Sequence, residues 1–203
     1  MLKKTLLVVL LFAITAVAQQ TAPTGTHPID NAHSNVGFSV PILGGLSQVK
    51  GKFTDFAIVL NHDEKDITKS SVSVVIKATS VDTGIERRDA HLRNADFFDV
   101  EKFPEITFKS ERIEKKGKQF IAHGPLTMHG VTKEIALPFT ITGTFKNPTN
   151  NKMSMGYSAK MVLNRKDFGI NYSRQDNPTF VGDEITVEIE LVTRALDVKK
   201  ATD

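Results

Sequence analysis

The segment from Arg87 to Arg93 carries the densest group of chemically capable side chains in this sequence. Its candidate site residues are Arg88, Asp89, His91 and Arg93. Arginine presents a planar set of N–H donors that suits phosphate or carbonyl groups, so the segment is a candidate polar rim for a ligand head group. The alternative is a structural ion-pair network that pins a short helix, because charge clusters commonly solvate one helix face. The sequence leaves both interpretations open.

Two upstream residues add the chemical types of a hydrolytic triad. His33 and Ser34, taken with Asp89 and His91, supply a serine, a histidine and a carboxylate. A triad is recognised by geometry rather than by composition, and the sequence has no G-x-S-x-G nucleophile motif. Ser34 is better explained as a residue that bonds local backbone at the start of the first long strand. We predict no catalytic residues and no enzyme activity, with an exported hydrolase of a hydrophobic ester as the alternative.

The histidines lack the spacings of a metal site. The candidates are His33, His91, His123 and His129. None of the patterns H-x-H, H-x-x-x-H or H-E-x-x-H is present, and the chain contains no cysteine. We therefore predict no metal and no cofactor, and we interpret His123 and His129 as a solvent-facing pair or as turn residues.

The elements that must position these residues are strands, because apolar and polar residues alternate along most of the chain. In residues 49–60 the phase slips near Asp55, which suggests a bulge. Only Ile85 to Phe98 lacks alternation, and we read one or two helical turns there. The eight alternating segments are Val36–Val40, Val49–Leu60, Val72–Ala78, Ile106–Phe108, Phe120–Met128, Ile135–Ile141, Met153–Leu163 and Ile185–Leu191.

These segments predict an all-β fold, an antiparallel β-barrel of about eight strands with a short helix across one end. An open sandwich is the alternative. A barrel of this size is either filled by its own side chains or holds one ligand, and periodicity does not separate the two cases.

The first eighteen residues have the form of a secretory signal peptide. Lys3-Lys4 is basic, Leu6 to Ala13 is apolar, and Ala16-Val17-Ala18 offers a cleavage site after Ala18. We predict export and one mature domain over residues 19–203. An uncleaved anchor is the alternative, although the apolar run is short for a membrane span. No second long apolar run follows, so we predict no membrane span after the signal is removed.

Charge gives no indication of a nucleic-acid partner. Removing Lys3 and Lys4 leaves 24 of the 26 basic residues against 23 acidic ones. The basic residues are not clustered as a nucleic-acid footprint requires. Without cysteine there is no disulfide, no thiol nucleophile and no lipidated cysteine after the signal.

Six motifs together resemble the YceI-like family of exported bacterial proteins. Each motif alone is weak, but they occur in the right order from about residue 27 to about residue 193. They are Ile29-Asp30-x-x-His33-Ser34, Ser80-Val81-x-Thr83, Arg88-Asp89-x-His91-Leu92-Arg93 with Asp96-Phe97-Phe98-Asp99, Phe103-Pro104-x-Ile106-Thr107-Phe108-x-Ser110, Gly124-x-Leu126-Thr127-x-His129-Gly130-Val131-Thr132-Lys133, and Asn164-Arg165-x-Asp167-Phe168-Gly169-Ile170.

The resemblance implies a periplasmic protein with a lipocalin-like barrel. Such proteins hold a long isoprenoid or similar amphiphile, polyprenyl or quinone-like, in an apolar tunnel, and some are homodimers. This sequence departs from the pattern at two places. His27-Pro28 replaces a frequent aromatic residue, and Pro41 stands where a histidine often ends the first strand.

From strand parity and the resemblance we predict a carrier that binds its ligand through apolar side chains facing inward. In the segment Asn164 to Ile170, Gly169 supplies an unusual backbone angle. A barrel packed solid, in a stress-response protein with a surface partner, remains an alternative. The predicted ligand contacts are Phe38, Val40, Val74, Ile76, Phe108, Leu126, Met128, Phe139, Met161, Phe168 and Ile170.

Overall fold

The computed structural model of this protein describes residues 25–194. The predicted signal peptide, residues 1–18, lies outside the described residues. One helix, α1, spans Glu86–Arg93, and shorter 3-10 helices span Asn31–His33, Leu43–Gly45, Ile67–Lys69, Ala78–Ser80 and Arg165–Phe168. The strands are β1 (Gly25–Pro28), β2 (Asn35–Ile42), β3 (Ser47–Phe53), β4 (Phe56–His62), β5 (Ser71–Lys77), β6 (Val81–Asp82), β7 (Glu105–Lys109), β8 (Arg112–Lys116), β9 (Gln119–Met128), β10 (Val131–Lys146), β11 (Met153–Asn164) and β12 (Glu184–Val192).

All 12 strands belong to one antiparallel sheet that curls into a half-barrel. Their order is β1-β4-β5-β7-β9-β10-β11-β12-β2-β3-β6, and β8 pairs with β9 beside this path. The predicted fold class is confirmed, including the short helix in the segment that lacks alternation.

The phase slip near Asp55 is a strand break rather than a bulge. Thr54 and Asp55 separate β3 from β4. β3 pairs with β2, whereas β4 pairs with β5, so the two halves of one bent segment lie on opposite flanks of the sheet. Thr54 N–H donates to Ser80 O at 3.1 Å, which ties the bend to the segment that follows β5. The eight predicted segments thus become nine strands, and the short β1, β6 and β8 complete the twelve.

Alternation sets the inner face, as the sequence predicts. Along β4 every second side chain is buried, from Phe56 through Ile58 and Leu60 to His62. Gly124 lies where β9 passes the corner between β7 and β8. A Cβ at this position would lie 2.0 Å from the carbonyl oxygen of Lys109, so only glycine fits there.

Within residues 25–194, no helix has the length and apolar character needed to cross a membrane.

Candidate ligand-binding cavity

One end of the curled sheet encloses a cavity of about 490 Å³. Its wall is almost entirely apolar. We call this end the open half; it is defined by the lining residues of the strands, which are Val36, Phe38, Val40, Ile42, Val49, Phe53, Val74, Ile76, Ile106, Phe108, Leu126, Met128, Ile135, Leu137, Met161, Leu163, Ile185, Val187 and Ile189. α1 and the segment 165–181 also contribute lining residues, and we call the part of the cavity beside them its mouth.

The opposite end of the sheet is filled by its own side chains, and we call it the packed half. We define it by six buried residues that lie away from the cavity wall, namely His27, Leu60, His62, Met153, Met155 and Tyr157. The rings of His27 and His62 lie 5.0 Å apart. Burial and the charge of His27 lower the pKa of His62, and burial raises the pKa of Tyr157.

Nine of the eleven predicted ligand contacts lie on the cavity wall. They are Phe38, Val40, Val74, Ile76, Phe108, Leu126, Met128, Met161 and Ile170. Their role in binding stays a prediction.

The structure places Phe139 and Phe168 elsewhere, and their predicted position on the wall is wrong. Phe139 faces inward but lies one step beyond the wall, stacked on Phe120 with ring centroids 5.5 Å apart. Phe168 is 2% exposed and packs into the core from a 3-10 helix. Strand parity gives the direction of a side chain but not its depth, and it gives neither for a residue outside a strand.

The predicted polar rim divides into two pairs. Arg88 and His91 line the cavity, whereas Asp89 and Arg93 do not. Asp89 is buried and accepts hydrogen bonds from both the backbone N–H and the hydroxyl of Thr83. Arg93 donates to the carbonyl oxygens of Thr79, at 2.8 Å, and of Val81, at 3.0 Å. Asp89 and Arg93 thus pin α1 to the chain around β6. For these two residues the structure agrees with the alternative interpretation, a structural network that holds the short helix.

Arg88 is the cation that faces the cavity from α1. Its Nε donates to Thr83 Oγ1 at 2.7 Å and its Nη2 to Thr83 O at 2.8 Å. Within residues 25–194, Arg88 forms no ion pair, and no hydrogen bond involves its Nη1. Since its direct partners are the oxygens of Thr83, Arg88 has donors available for a polar or anionic group in the cavity mouth.

An aromatic cluster that the sequence did not reveal bridges the mouth. His91 contacts Phe97 and Tyr172 edge to face, with ring centroids 5.0 Å and 5.1 Å apart. Phe97 and Tyr172 lie 4.7 Å apart. The cluster joins α1 to the segment after β11, and Tyr172 is 81 positions from His91 in the chain, so no local pattern signals their contact.

Arg165 is the second feature that sequence reasoning missed. It is 4% exposed and also lines the cavity. It donates to the carbonyl oxygens of Gly182 and Ile170, at 3.0 Å and 2.8 Å, and to Asp183 Oδ1 at 2.8 Å. A buried arginine with each of its three guanidinium nitrogens engaged fixes the segment 165–183 over the mouth. Its place in the last of the six motifs was the available signal.

The residues of the hydrolase alternative are not assembled. His33 Nδ1 lies 2.9 Å from Asp30 Oδ2, and Ser34 Oγ accepts from Val192 N–H at 3.0 Å. Asp89 bonds Thr83, and His91 Nε2 lies 2.9 Å from Asp96 Oδ2. Each of the four candidates therefore has a partner outside the set.

The other histidines also have separate partners. His123 Nε2 lies 3.1 Å from Glu114 Oε2, and His129 occupies the β9–β10 turn near Phe168 O. Across residues 25–194, no three His, Cys, Asp or Glu side chains group as they would around a metal ion.

Comparison with known proteins gives consistent matches. The model of the YceI-like domain matches residues 28–193. Protein YceI of Escherichia coli O157:H7 is 37% identical over 171 residues, which is 83% of this chain and 88% of that protein. The solved YCEI protein of Campylobacter jejuni is 32% identical, with a TM-score of 0.65, covering 75% of this chain and 88% of that one.

A more distant structure shares the fold alone. A domain from Saccharophagus degradans, described as a polyisoprenoid binding domain implicated in plant cell wall breakdown, has a TM-score of 0.60 at 13% identity. The match covers 86% of this chain and 100% of that domain.

Proposed function

This chain belongs to the YceI-like family, and on that premise we propose that it is a binding or carrier protein for an isoprenoid-like or other long-chain amphiphilic lipid. The observation that carries the proposal is the apolar cavity of about 490 Å³ with Arg88 and His91 at its mouth. Protein interiors are close-packed, and voids larger than a water molecule are few. A large apolar space inside a domain is therefore best explained by a ligand that fills it.

A lipid tail can bind to such an apolar wall with few hydrogen bonds or ion pairs. Each buried CH₂ group of a tail contributes about 0.8 kcal/mol, so a long tail binds tightly with few polar contacts. Ligand pockets commonly measure about 300–1,000 Å³ and combine apolar walls with a few placed polar groups. Leu126 and Met161 are typical apolar side chains of this wall. Met128 also lines it, and a methionine side chain adapts to irregular shapes.

The mouth supplies the contact for the polar end of the ligand. Arg88 Nη1 is positioned for a phosphate, carboxylate or quinone-type carbonyl, and the edge of His91 lies in the same wall. Arg174, which also lines the cavity, is already paired with Asp176 at 2.6 Å, and that carboxylate raises the pKa of Arg174. We therefore assign head-group recognition to Arg88 rather than to Arg174.

The proposal includes export. A signal peptide cleaved after Ala18 would deliver the protein to the periplasm of a two-membrane host, where a lipid carrier shields an apolar tail from water during transport. The same-fold domain described as binding polyisoprenoids is in keeping with this role, but the cavity and not that likeness supports it.

Native mass spectrometry of the purified mature protein tests the proposal, followed by organic extraction of what it releases. We expect a stoichiometric species with a long aliphatic or prenyl tail. Met161→Asp places a charge on the cavity wall and should abolish retention. Val162→Asp is the matched control, because Val162 is the next residue of β11 and is 55% exposed. A folded protein without ligand that also takes up nothing from a host lipid extract would refute the carrier function.

A further inference from the structure

The turn between β2 and β3 presents two leucines to solvent beside the mouth of the cavity. We call residues 43–46 the leucine tip. Leu46 is 89% exposed and Leu43 is 45% exposed, and Leu46 is the most exposed large apolar side chain in residues 25–194. Neither leucine lines the cavity. Side chains in these positions add little to the core, so packing does not explain why both are leucine.

The backbone of the leucine tip is also unusual. Leu43 has a φ of 55°, in the left-handed region that glycine and asparagine occupy more readily than leucine. Gly44 and Gly45 follow with φ values of 65° and 95° and allow the tight turn. A leucine at a costly backbone angle that is also exposed to water is disfavoured twice. Residues held in such conformations cluster at functional sites, which indicates that the tip has a role beyond the fold.

The leucine tip belongs to a larger uncharged surface. Its N–H groups donate to two carbonyl oxygens of the segment 177–182, at 2.8 Å to Phe180 and at 3.3 Å to Thr179. Neither residues 41–49 nor residues 177–182 contain a charged side chain. Ile42, directly before the tip, and Phe180 both line the cavity. The uncharged surface is therefore continuous with the mouth.

From these observations we infer that the leucine tip docks on a lipid bilayer and inserts Leu43 and Leu46 at its interface. Contiguous apolar surface marks a site of interaction with a protein or a membrane. A bilayer fits this surface because no charge would have to leave water, and because the adjoining cavity has a proposed ligand that dissolves in membranes. The choice of a bilayer thus rests in part on the proposed function.

The polar backbone of the leucine tip is already prepared for an apolar environment. Besides the two bonds to the segment 177–182, Leu46 N–H donates to Leu43 O at 3.4 Å. Three of the four N–H groups of the tip therefore have an acceptor within the protein. Unbonded N–H groups are costly among lipid tails, so these bonds favour insertion.

Sedimentation of the mature protein with vesicles of phosphatidylethanolamine and phosphatidylglycerol tests the docking. We expect the wild type to sediment with the vesicles at low and at high salt, since the surface is uncharged. Leu46→Ser should weaken vesicle binding about tenfold, the effect of leaving one leucine side chain out of the interface. Phe145→Ser is the matched control, because Phe145 is 63% exposed but lies beside Lys146, which pairs with Met153 of the packed half.

Tryptophan fluorescence locates the insertion, because the chain contains no tryptophan of its own. In Leu46→Trp the emission should shift to shorter wavelength when vesicles are added, and lipids brominated on their acyl chains should quench it. In Phe145→Trp neither change should occur. A Leu46→Trp shift that appears without vesicles as the protein concentration rises would overturn the inference, since a second copy of the chain would then cover the tip.

The outcomes separate docking from the carrier function. A wild type that stays in solution, binding that is lost in high salt, or equal weakening by Leu46→Ser and Phe145→Ser overturns the docking. Weak vesicle binding by Leu46→Ser with its ligand still present in native mass spectrometry supports the docking, because the leucine tip does not line the cavity. Vesicle binding by a wild type that holds and takes up no lipid overturns the carrier function and leaves the docking in place.

Discussion

The open and packed halves are built from the same alternating strands, yet only one of them encloses space. β11 shows the contrast within a single strand: Met153, Met155 and Tyr157 are buried against other side chains, whereas Met161 and Leu163 face the cavity. In the packed half, β1 extends the sheet as an edge strand beside β4 and brings in His27. In the open half, α1 and the segment 165–183 cover the mouth without filling the interior. The contrast shows that the two ends differ in what joins them: an added edge strand that carries His27 at the filled end, and α1 with the segment 165–183 at the end that encloses the cavity.

Two methionines on one strand give the largest expected contrast. Met155→Ala should lower the free energy of unfolding by about 2–5 kcal/mol, because it leaves a void in a filled region. Met161→Ala should cost much less, because the lost side chain already borders open space and packs on one side only. Urea unfolding of the delipidated variants measures both. Equal losses would mean that the two halves are equally packed and would remove the basis of the comparison.

The next largest effect is expected from a backbone substitution at Gly169, in the segment 165–183 that covers the mouth. Gly169 has a φ of 75° and ends the 3-10 helix that begins at Arg165. A β-branched residue is strongly disfavoured at this angle, so Gly169→Val should cost about 1–3 kcal/mol and loosen the mouth. Thermal unfolding together with proteolysis of the segment 165–183 would detect it. Gly117→Val is a useful reference, since Gly117 also has positive φ but lies in the β8–β9 turn, far from the mouth. A Gly169→Val variant with normal stability and no new cleavage would contradict the role of Gly169 in holding the segment 165–183 in place.

The smallest effect is a pH dependence confined to the packed half. Burial, and then the charge of His27, lower the pKa of His62 below its ordinary value of 6.5. Just below pH 6.5 the unfolded chain therefore binds more protons at His62 than the folded protein does. The stability that His62 contributes is fully present above pH 6.5 and falls as the pH drops below it. His62→Gln should flatten the unfolding free energy between pH 7 and pH 5 relative to the wild type. Parallel profiles for the two proteins would show that His62 has no part in the pH dependence.

Local pattern predicted much of this molecule. Of the nine predicted contacts that lie on the cavity wall, eight are in strands, where alternation gives their direction, and the interruption of alternation located α1. The resemblance to the YceI-like family is confirmed. The two residues that do not line the cavity have different causes: Phe139 has the right direction and the wrong depth, and Phe168 belongs to a 3-10 helix to which strand parity does not apply.

The charged residues show a different limit. Arg88, Asp89 and Arg93 are close neighbours in sequence, but Asp89 and Arg93 bond the chain around β6 while Arg88 faces the cavity. Arg165 contacts Gly182 and Asp183, which lie beyond the reach of any local motif. Composition identifies the cluster; only the fold shows which members already have partners.

The sequence by itself determined the longer strands, their inward faces, the short helix and the family, because each of these depends on periods or motifs within a few residues. The tertiary structure alone decided that one half of the interior is filled and the other is open. Whether a layer is filled depends on the summed volume of side chains that distant strands and closing segments bring to the same level, and a period of two residues carries no information about that sum.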